Sequence, residues 1–213
     1  MCLAVYKPKA VTIKQEYLIR GAKGNSDGMG LVAALPTGMM RYRTLDDFDT
    51  FYNVYKKYEM YPMLIHFRIR TAGMVIEENC HPFHIKDNLF MIHNGGFYNY
   101  DDTYNVKSDT RLVAEALAKL PHIERLLTDS SSALFKQVED IIGSQKVVML
   151  DKDFHHIFNE KYGFWQEGCW WSNSSGVGWE NKVKDIEEED DYIGHGACML
   201  PPWSSSHRGF SVD

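Results

Sequence analysis

Met1-Cys2-Leu3-Ala4-Val5-Tyr6 opens the chain. Residues 2–6 are a short apolar run containing a β-branched valine, ended by Pro8, and they read as a strand. A strand in this position pins an otherwise mobile terminus into a sheet. Cys2 is also small enough for Met1 to be trimmed ahead of it. A chain beginning at Cys2 would carry a thiol and a free α-amine on one Cα. A free thiol titrates near ~8.5 and an α-amine near ~8, so one residue would supply a nucleophile and its general base.

Further strands and helices surround this start. Val11–Ile19 mixes apolar and charged residues and suits a turn with a short helix or strand. Gly24-Asn25-Ser26-Asp27-Gly28-Met29-Gly30 reads as a hairpin turn leading into a core strand at Leu31–Leu35. Its spacing is not that of a dinucleotide loop. Pro36–Thr44 is a loop or hairpin. Leu45–Tyr58 has helical spacing at Leu45, Phe48, Tyr52 and Tyr55, with acids in the first turns and Thr44 as N-cap.

Pro62–Gly73 begins as a strand. Leu64, His66, Arg68 and Arg70 fall on one face, and Met63, Ile65, Phe67 and Ile69 on the other. The basic face is either solvated or an anion-binding strip, in which an arginine would hold a carboxylate in bidentate fashion. Cys80-His81 is a poor catalytic pair, because adjacent strand residues point apart. Cys80, His81 and His84 are equally poor as a metal site.

Asn88–Phe97 is a core strand running into Asn94-Gly95-Gly96. That tripeptide is either an ordinary Asn-Gly turn or a side-chain amide beside an exposed N–H, which is how an oxyanion hole is built. Asn105–Leu120 is the strongest helix, capped by Ser108 or Asp109 and stopped by Pro121. Asp109 is a cap, or it turns its carboxylate toward a cationic group. Ile123–Ile142 reads as one or two helices broken near Asp129–Ser132. Lys146–Leu150 and Phe154–Phe158 make a hairpin across Asp151–Asp153, and Trp165–Trp171 is a last strand. From Asp185 onward the acidic block Glu187–Asp191 and the Gly, Pro and Ser residues after it read as a peripheral extension.

Strands, then helices, then strands suggest sheets with helices packed outside them. The chain has 213 residues, 44% hydrophobic, with a formal charge of −6; this disfavours a general nucleic-acid binder. Aromatic residues reach 13%, enough for aromatic-rich packing or a lined pocket. Cysteines at 2, 80, 169 and 198 form no Cys-x-x-Cys pair. With no signal segment and no apolar run long enough for a bilayer, the expectation is a cytoplasmic protein with free thiols, no metal, no cofactor and no membrane contact. Together the thiol, the arginine strip, the Asn-Gly turn and Asp109 form a coherent set for an amino-acid amide substrate.

The order of these segments resembles the class II glutamine amidotransferases of the N-terminal-nucleophile hydrolase group, in their stand-alone form. The likeness lies in Met1-Cys2, in Asn25–Gly30, in His66–Gly73, in Phe90-Met91-Ile92-His93-Asn94-Gly95 and in Ser108-Asp109-Thr110. Leu150-Asp151, Trp170 and Ser172-Asn173 extend it, so it covers residues 2 to about 180. The resemblance implies an α+β fold, a four-layer αββα sandwich with two mainly antiparallel sheets, over residues 1–184, followed by a 185–213 extension. It implies Cys2 as nucleophile, Asn94 and Gly95 as oxyanion groups, Arg68 and Asp109 as ligands of the α-carboxylate and α-amine of L-glutamine, and Thr71 as a further contact. Ile69, Ala72 and Arg111 depart from the family's pattern at its arginine strand and helix start. No second catalytic module and no ATP loop are visible, so released ammonia would pass to a separate synthase subunit or to an acceptor bound at the same site. Hydrolysis of a γ-glutamyl peptide or another amide, and a non-catalytic binding or scaffold role, are the alternatives.

Overall fold

The computed structural model describes residues 2–100 and 102–178; Met1 and the predicted 185–213 extension lie outside the described residues. The first strand, β1 (Leu3–Lys7), lies in the middle of a six-stranded sheet. Its neighbours are β4 (Met63–Phe67) and β10 (Cys169–Trp171), with Val5 facing Ile65 on one side and Trp171 on the other. The hairpin β2 (Met29–Leu35) and β3 (Gly38–Thr44) continues one flank, and β9 (Phe164–Gln166) closes the other. A second sheet orders β5 (Phe83–Lys86), β6 (Leu89–Asn94), β7 (Lys146–Leu150) and β8 (His155–Phe158) side by side. Every pairing in both sheets is antiparallel.

Alternating side chains build three apolar layers from these two sheets. Ala4, Tyr6, Leu64, Ile92, Val148 and Trp170 fill the space between the sheets. Leu3, Val5 and Ile65 point the other way, onto Tyr17 and Leu18 of α1 (Gln15–Gly24) and Phe51 and Tyr55 of α2 (Phe48–Tyr58). Met91, Val147 and Met149 pack outward on α3 (Asp109–Leu117) and α4 (Ala133–Ile142) through Val113, Leu117, Phe135 and Val138. The result is the expected α+β, four-layer αββα sandwich.

Several local expectations change. β4 has no solvated face: all five of its residues are buried, because helices cover one side and the second sheet covers the other. The strand stops at Phe67, so no basic strip forms; Arg68 turns inward and Arg70 is exposed. The segment 25–28 is not a hairpin turn but joins α1 to β2, and the hairpin lies at 36–37. Gly28 is required there, since it has φ 129° and a Cβ would strike the Cys80 thiol. Thr44 does not cap α2; it ends β3, and Asp47 Oδ1 accepts the Thr50 N–H at 2.8 Å. The predicted single strand over 165–171 is the β9–β10 hairpin, turned by Glu167 and Gly168, both at positive φ.

Lys7 closes the outer end of β1. Its side chain is fully buried, and its ammonium donates to the carbonyls of Pro8, Val11 and Glu59 at 2.9, 2.9 and 2.6 Å. This ties β1 to the end of α2. Burial pulls the Lys7 pKa down to about 8.

Candidate functional site

Cys2 sits at the head of β1, at the opposite end of the strand from Lys7. Its Sγ donates to the Ile69 carbonyl at 3.2 Å and lies 3.4 Å from the Ile69 N–H. Asn173 holds the Cys2 carbonyl through Nδ2 at 2.7 Å. Burial pushes the thiol above its ordinary pKa, while the Ile69 backbone and the Arg68 charge pull it back only in part. The resting group at neutral pH is therefore the thiol, and a nearby base is needed to make the thiolate.

Beyond β4 the chain is pinned by the 27–28 segment. Arg68 N–H donates to the Gly28 carbonyl at 2.7 Å, Asp27 N–H to the Arg68 carbonyl at 2.9 Å, and Arg70 N–H to Asp27 Oδ2 at 2.7 Å. This clamp directs the Arg68 side chain inward, where it is 3% exposed. Nη2 donates to the Ala72 carbonyl at 2.9 Å, but Nη1 is buried with no hydrogen-bond partner among the described residues. A buried guanidinium nitrogen without an acceptor is costly, and a ligand carboxylate would relieve that cost.

Asp109 opens α3. The cap of that helix is Ser108, whose Oγ accepts the Arg111 N–H, so the Asp109 carboxylate is free for other work. Oδ2 accepts the Phe97 N–H at 2.7 Å and Oδ1 the Thr110 N–H at 2.7 Å. Cys2, Arg68, Thr71, Gly95 and Asp109 line one cavity. A thiol, a cation and an anion thus meet from three separate parts of the chain. A Cβ at Gly95 would fall 2.8 Å from His93 Nε2 and would collide with the Gln145 carboxamide, so only glycine fits this wall.

Asn94 stands apart from that wall. Its side chain is buried beneath it, with Nδ2 donating to Ser172 Oγ at 2.8 Å and Oδ1 left without a donor. Ser172 Oγ also accepts the Ala4 N–H at 2.9 Å. Ser172 therefore links the strand that carries Cys2 to the strand that carries Asn94.

Sequence reading missed several groups in and behind the cavity wall, which His81, His93, Ser108 and Thr110 also line. Asn79 is fully buried; its Nδ2 donates to the carbonyls of Met74 and Val106, and its Oδ1 accepts the Ser108 N–H. It joins the loop after Arg68 to the start of α3. His66, His81 and His93 form a buried cluster in which the His66 and His81 rings stack at 3.8 Å. Burial holds His66 down to about 3, His93 to about 4 and His81 well below the usual imidazole range. All three are neutral near pH 7. No signal marks Asn79 or Gln145 in the sequence, whereas the His66, His81 and His93 positions are visible but their convergence is not. Cys80 packs away from the cavity against the Thr44 and Ile76 carbonyls. Among the described residues, no group of three or more His, Cys, Asp or Glu side chains is placed to hold a metal ion, and no helix is long and apolar enough to cross a membrane.

No protein-family model and no curated protein matches the sequence. Among solved structures, the chain is similar to glutamine phosphoribosylpyrophosphate amidotransferase from B. subtilis complexed with ADP and GMP, with a TM-score of 0.55 at 14% identity over 83% of this chain. It is also similar to a structure described as the allosteric regulatory enzyme of purine biosynthesis, with a TM-score of 0.50 at 14% identity over 83% of this chain. In both cases the match spans 42% of the solved chain. At this identity the likeness is one of fold: 83% of the chain resembles the fold of part of a glutamine amidotransferase.

Proposed function

We propose that the chain hydrolyses the side-chain amide of L-glutamine through a Cys2 thioester, as a glutaminase or as the ammonia-producing half of an amidotransferase. One observation carries this reading: the buried, half-unpaired Arg68 guanidinium shares a cavity with the Cys2 thiol and the Asp109 carboxylate. A free amino acid presents a carboxylate and an ammonium group, and this cavity offers one charge for each. The thiol lies where the side chain of such a ligand would reach.

With Met1 removed, the Cys2 α-amine takes the thiol proton and Sγ attacks the amide carbon. The developing oxyanion is held by the Gly95 N–H and the Asn94 amide. As oriented, Asn94 and Ala4 both donate to Ser172, so the Ser172 proton is unused and Asn94 Oδ1 has no donor. Turning the Asn94 amide over lets Ser172 donate to Oδ1 and leaves the NH₂ group to donate elsewhere; contact with the oxyanion further requires this side chain to enter the wall behind which it lies. The α-ammonium then returns its proton to the leaving nitrogen, the C–N bond breaks, and ammonia departs. Water attacks the thioester and releases glutamate and the thiol. Thr71, on the cavity wall, contacts the substrate. In this reading residues 1–184 are the catalytic domain, and in the amidotransferase form the ammonia goes to an acceptor at the same site or on a separate synthase subunit.

A second reading has its own support. A wider hollow, rimmed by Phe97, Tyr98 and Tyr100, shares Thr71, Gly95 and Asp109 with the Cys2 cavity. It has room for an amine larger than ammonia and so suits a γ-glutamyl compound. Intact mass before and after 6-diazo-5-oxo-norleucine tests the glutamine reading. The expected result is loss of Met1 and one adduct on Cys2, formed with loss of dinitrogen. A retained Met1, or a processed chain with no adduct, sinks the reading. Comparing kcat/KM for glutamine and γ-glutamyl peptides separates the two substrates.

A further inference from the structure

The Asp109 carboxylate is held in place by protein groups alone. Besides the Phe97 and Thr110 N–H groups, the Thr110 hydroxyl lies 3.3 Å from Oδ1. An ionised carboxylate offers about four acceptor positions, so one remains for a ligand in the cavity. Thr110 Oγ1 lies 2.8 Å from His93 Nδ1 as well. A hydroxyl has one proton, and the charged acceptor makes the stronger bond. Thr110 Oγ1 stands between the His93 ring and the Asp109 carboxylate, within reach of both.

His93 is itself tightly held. Its N–H donates to His81 Nδ1 at 3.2 Å, and its carbonyl accepts from His66 Nε2 at 3.0 Å. Its ring packs 4.3 Å from that of Phe97, the residue whose N–H holds Asp109 Oδ2. His93 Nε2 makes no hydrogen bond of normal geometry, although the Gln145 amide is near enough to interact with it. His93 thus backs both Thr110 and Phe97.

We infer that Thr110 and His93 are positioning residues: the contacts of Thr110 Oγ1 with His93 Nδ1 and with Asp109 Oδ1 aim the carboxylate and so set recognition of the substrate α-ammonium. This rests on the proposed glutamine reading. The arrangement acts on binding of one charged group and leaves the thiol chemistry alone. Burial keeps His93 neutral near pH 7.

The test compares glutamine with glutaramate, which is glutamine without its α-amine, in the full-length processed protein. KM is measured for glutamine, and Ki for glutaramate as a competitor. T110V removes the hydroxyl at nearly constant shape, T110A removes it without adding bulk, and T110S restores it. A lost bond to a charged group predicts a rise of about 10-fold in the glutamine KM for T110V and T110A. The kcat should stay within about twofold, the glutaramate Ki should not change, and T110S should resemble the parent. An equal loss for both ligands, an unchanged glutamine KM, or a T110S variant as impaired as T110V overturns the positioning role while leaving the glutamine reading intact. A parent protein that does not turn over glutamine overturns both.

Discussion

Lys7 and Arg68 are two buried cations at opposite ends of the β1–β4 pair, and they are treated differently. Lys7 Nζ has three carbonyl acceptors, one for each proton it can donate. Arg68 has a single carbonyl for Nη2 and nothing for Nη1. A cation whose bonds are all made inside the protein is a tie between segments. One that keeps a buried donor open, beside a thiol, is set up for an outside acceptor. The same distinction applies to polar groups without charge: Ser108 spends its oxygen on a helix cap, whereas Asn94 leaves an amide oxygen unpaired.

The largest expected effect breaks the comparison at Asn94. N94A should lower kcat by roughly 10²–10³-fold with little change in KM if the amide meets the oxyanion; a kcat close to the parent's would remove it from the chemistry. R68A comes next. Measured by calorimetric titration in a C2A background, where ligand is not consumed, glutamine Kd should rise on the order of 10²-fold. The melting temperature should not fall, because the substitution also removes an unpaired buried donor. Unchanged affinity would put Arg68 in the same class as Lys7.

K7M reverses that pattern. Three carbonyls lose their donor, so denaturant unfolding should show a loss of about 2–3 kcal/mol, while the glutamine KM of the folded protein stays at its parent value. A shifted KM with full stability would refute the division between the two cations. The smallest effect sharpens the picture behind the cavity. His66 is held down to about 3 by burial, so the unfolded chain takes up its proton first as pH falls. Its contribution to stability is complete above about pH 6.5 and is lost on acidification from there toward pH 3. H66Q keeps a donor for the His93 carbonyl but does not titrate. It should flatten the dependence of unfolding free energy on pH by about 1.4 kcal/mol per pH unit between pH 6 and 4, and equal slopes would show that His66 is protonated in the fold.

Much of the architecture is legible in local sequence. β6 and β7 stand within a residue of their apolar runs, Ser108 caps α3, and the break before α4 falls at the Asp129–Ser132 cluster. The misreadings share one cause. β4 looked half-exposed because alternating Leu64, His66, Arg68 and Arg70 suggests a wet face, yet the second sheet covers that face. The glycines at 28 and 30 looked like turn residues, but they make room for Cys80 and for the His81 carbonyl. The site residues Cys2, Arg68, Thr71, Gly95 and Asp109 could be nominated one by one from side-chain chemistry and family likeness, and they line a common cavity. Asn94, nominated with them, lies behind its wall.

By itself, then, the sequence determined strand and helix periods, caps, turns and the inventory of reactive groups, because each depends on residues a few positions apart. Only the tertiary structure decided which polar groups stay unpaired, that His66, His81 and His93 converge, and that Ser172 and Asn173 reach across some 170 residues to Ala4 and Cys2. Those outcomes depend on what packs against each face. Burial and hydrogen-bond partners are supplied by distant segments, and no local pattern encodes them.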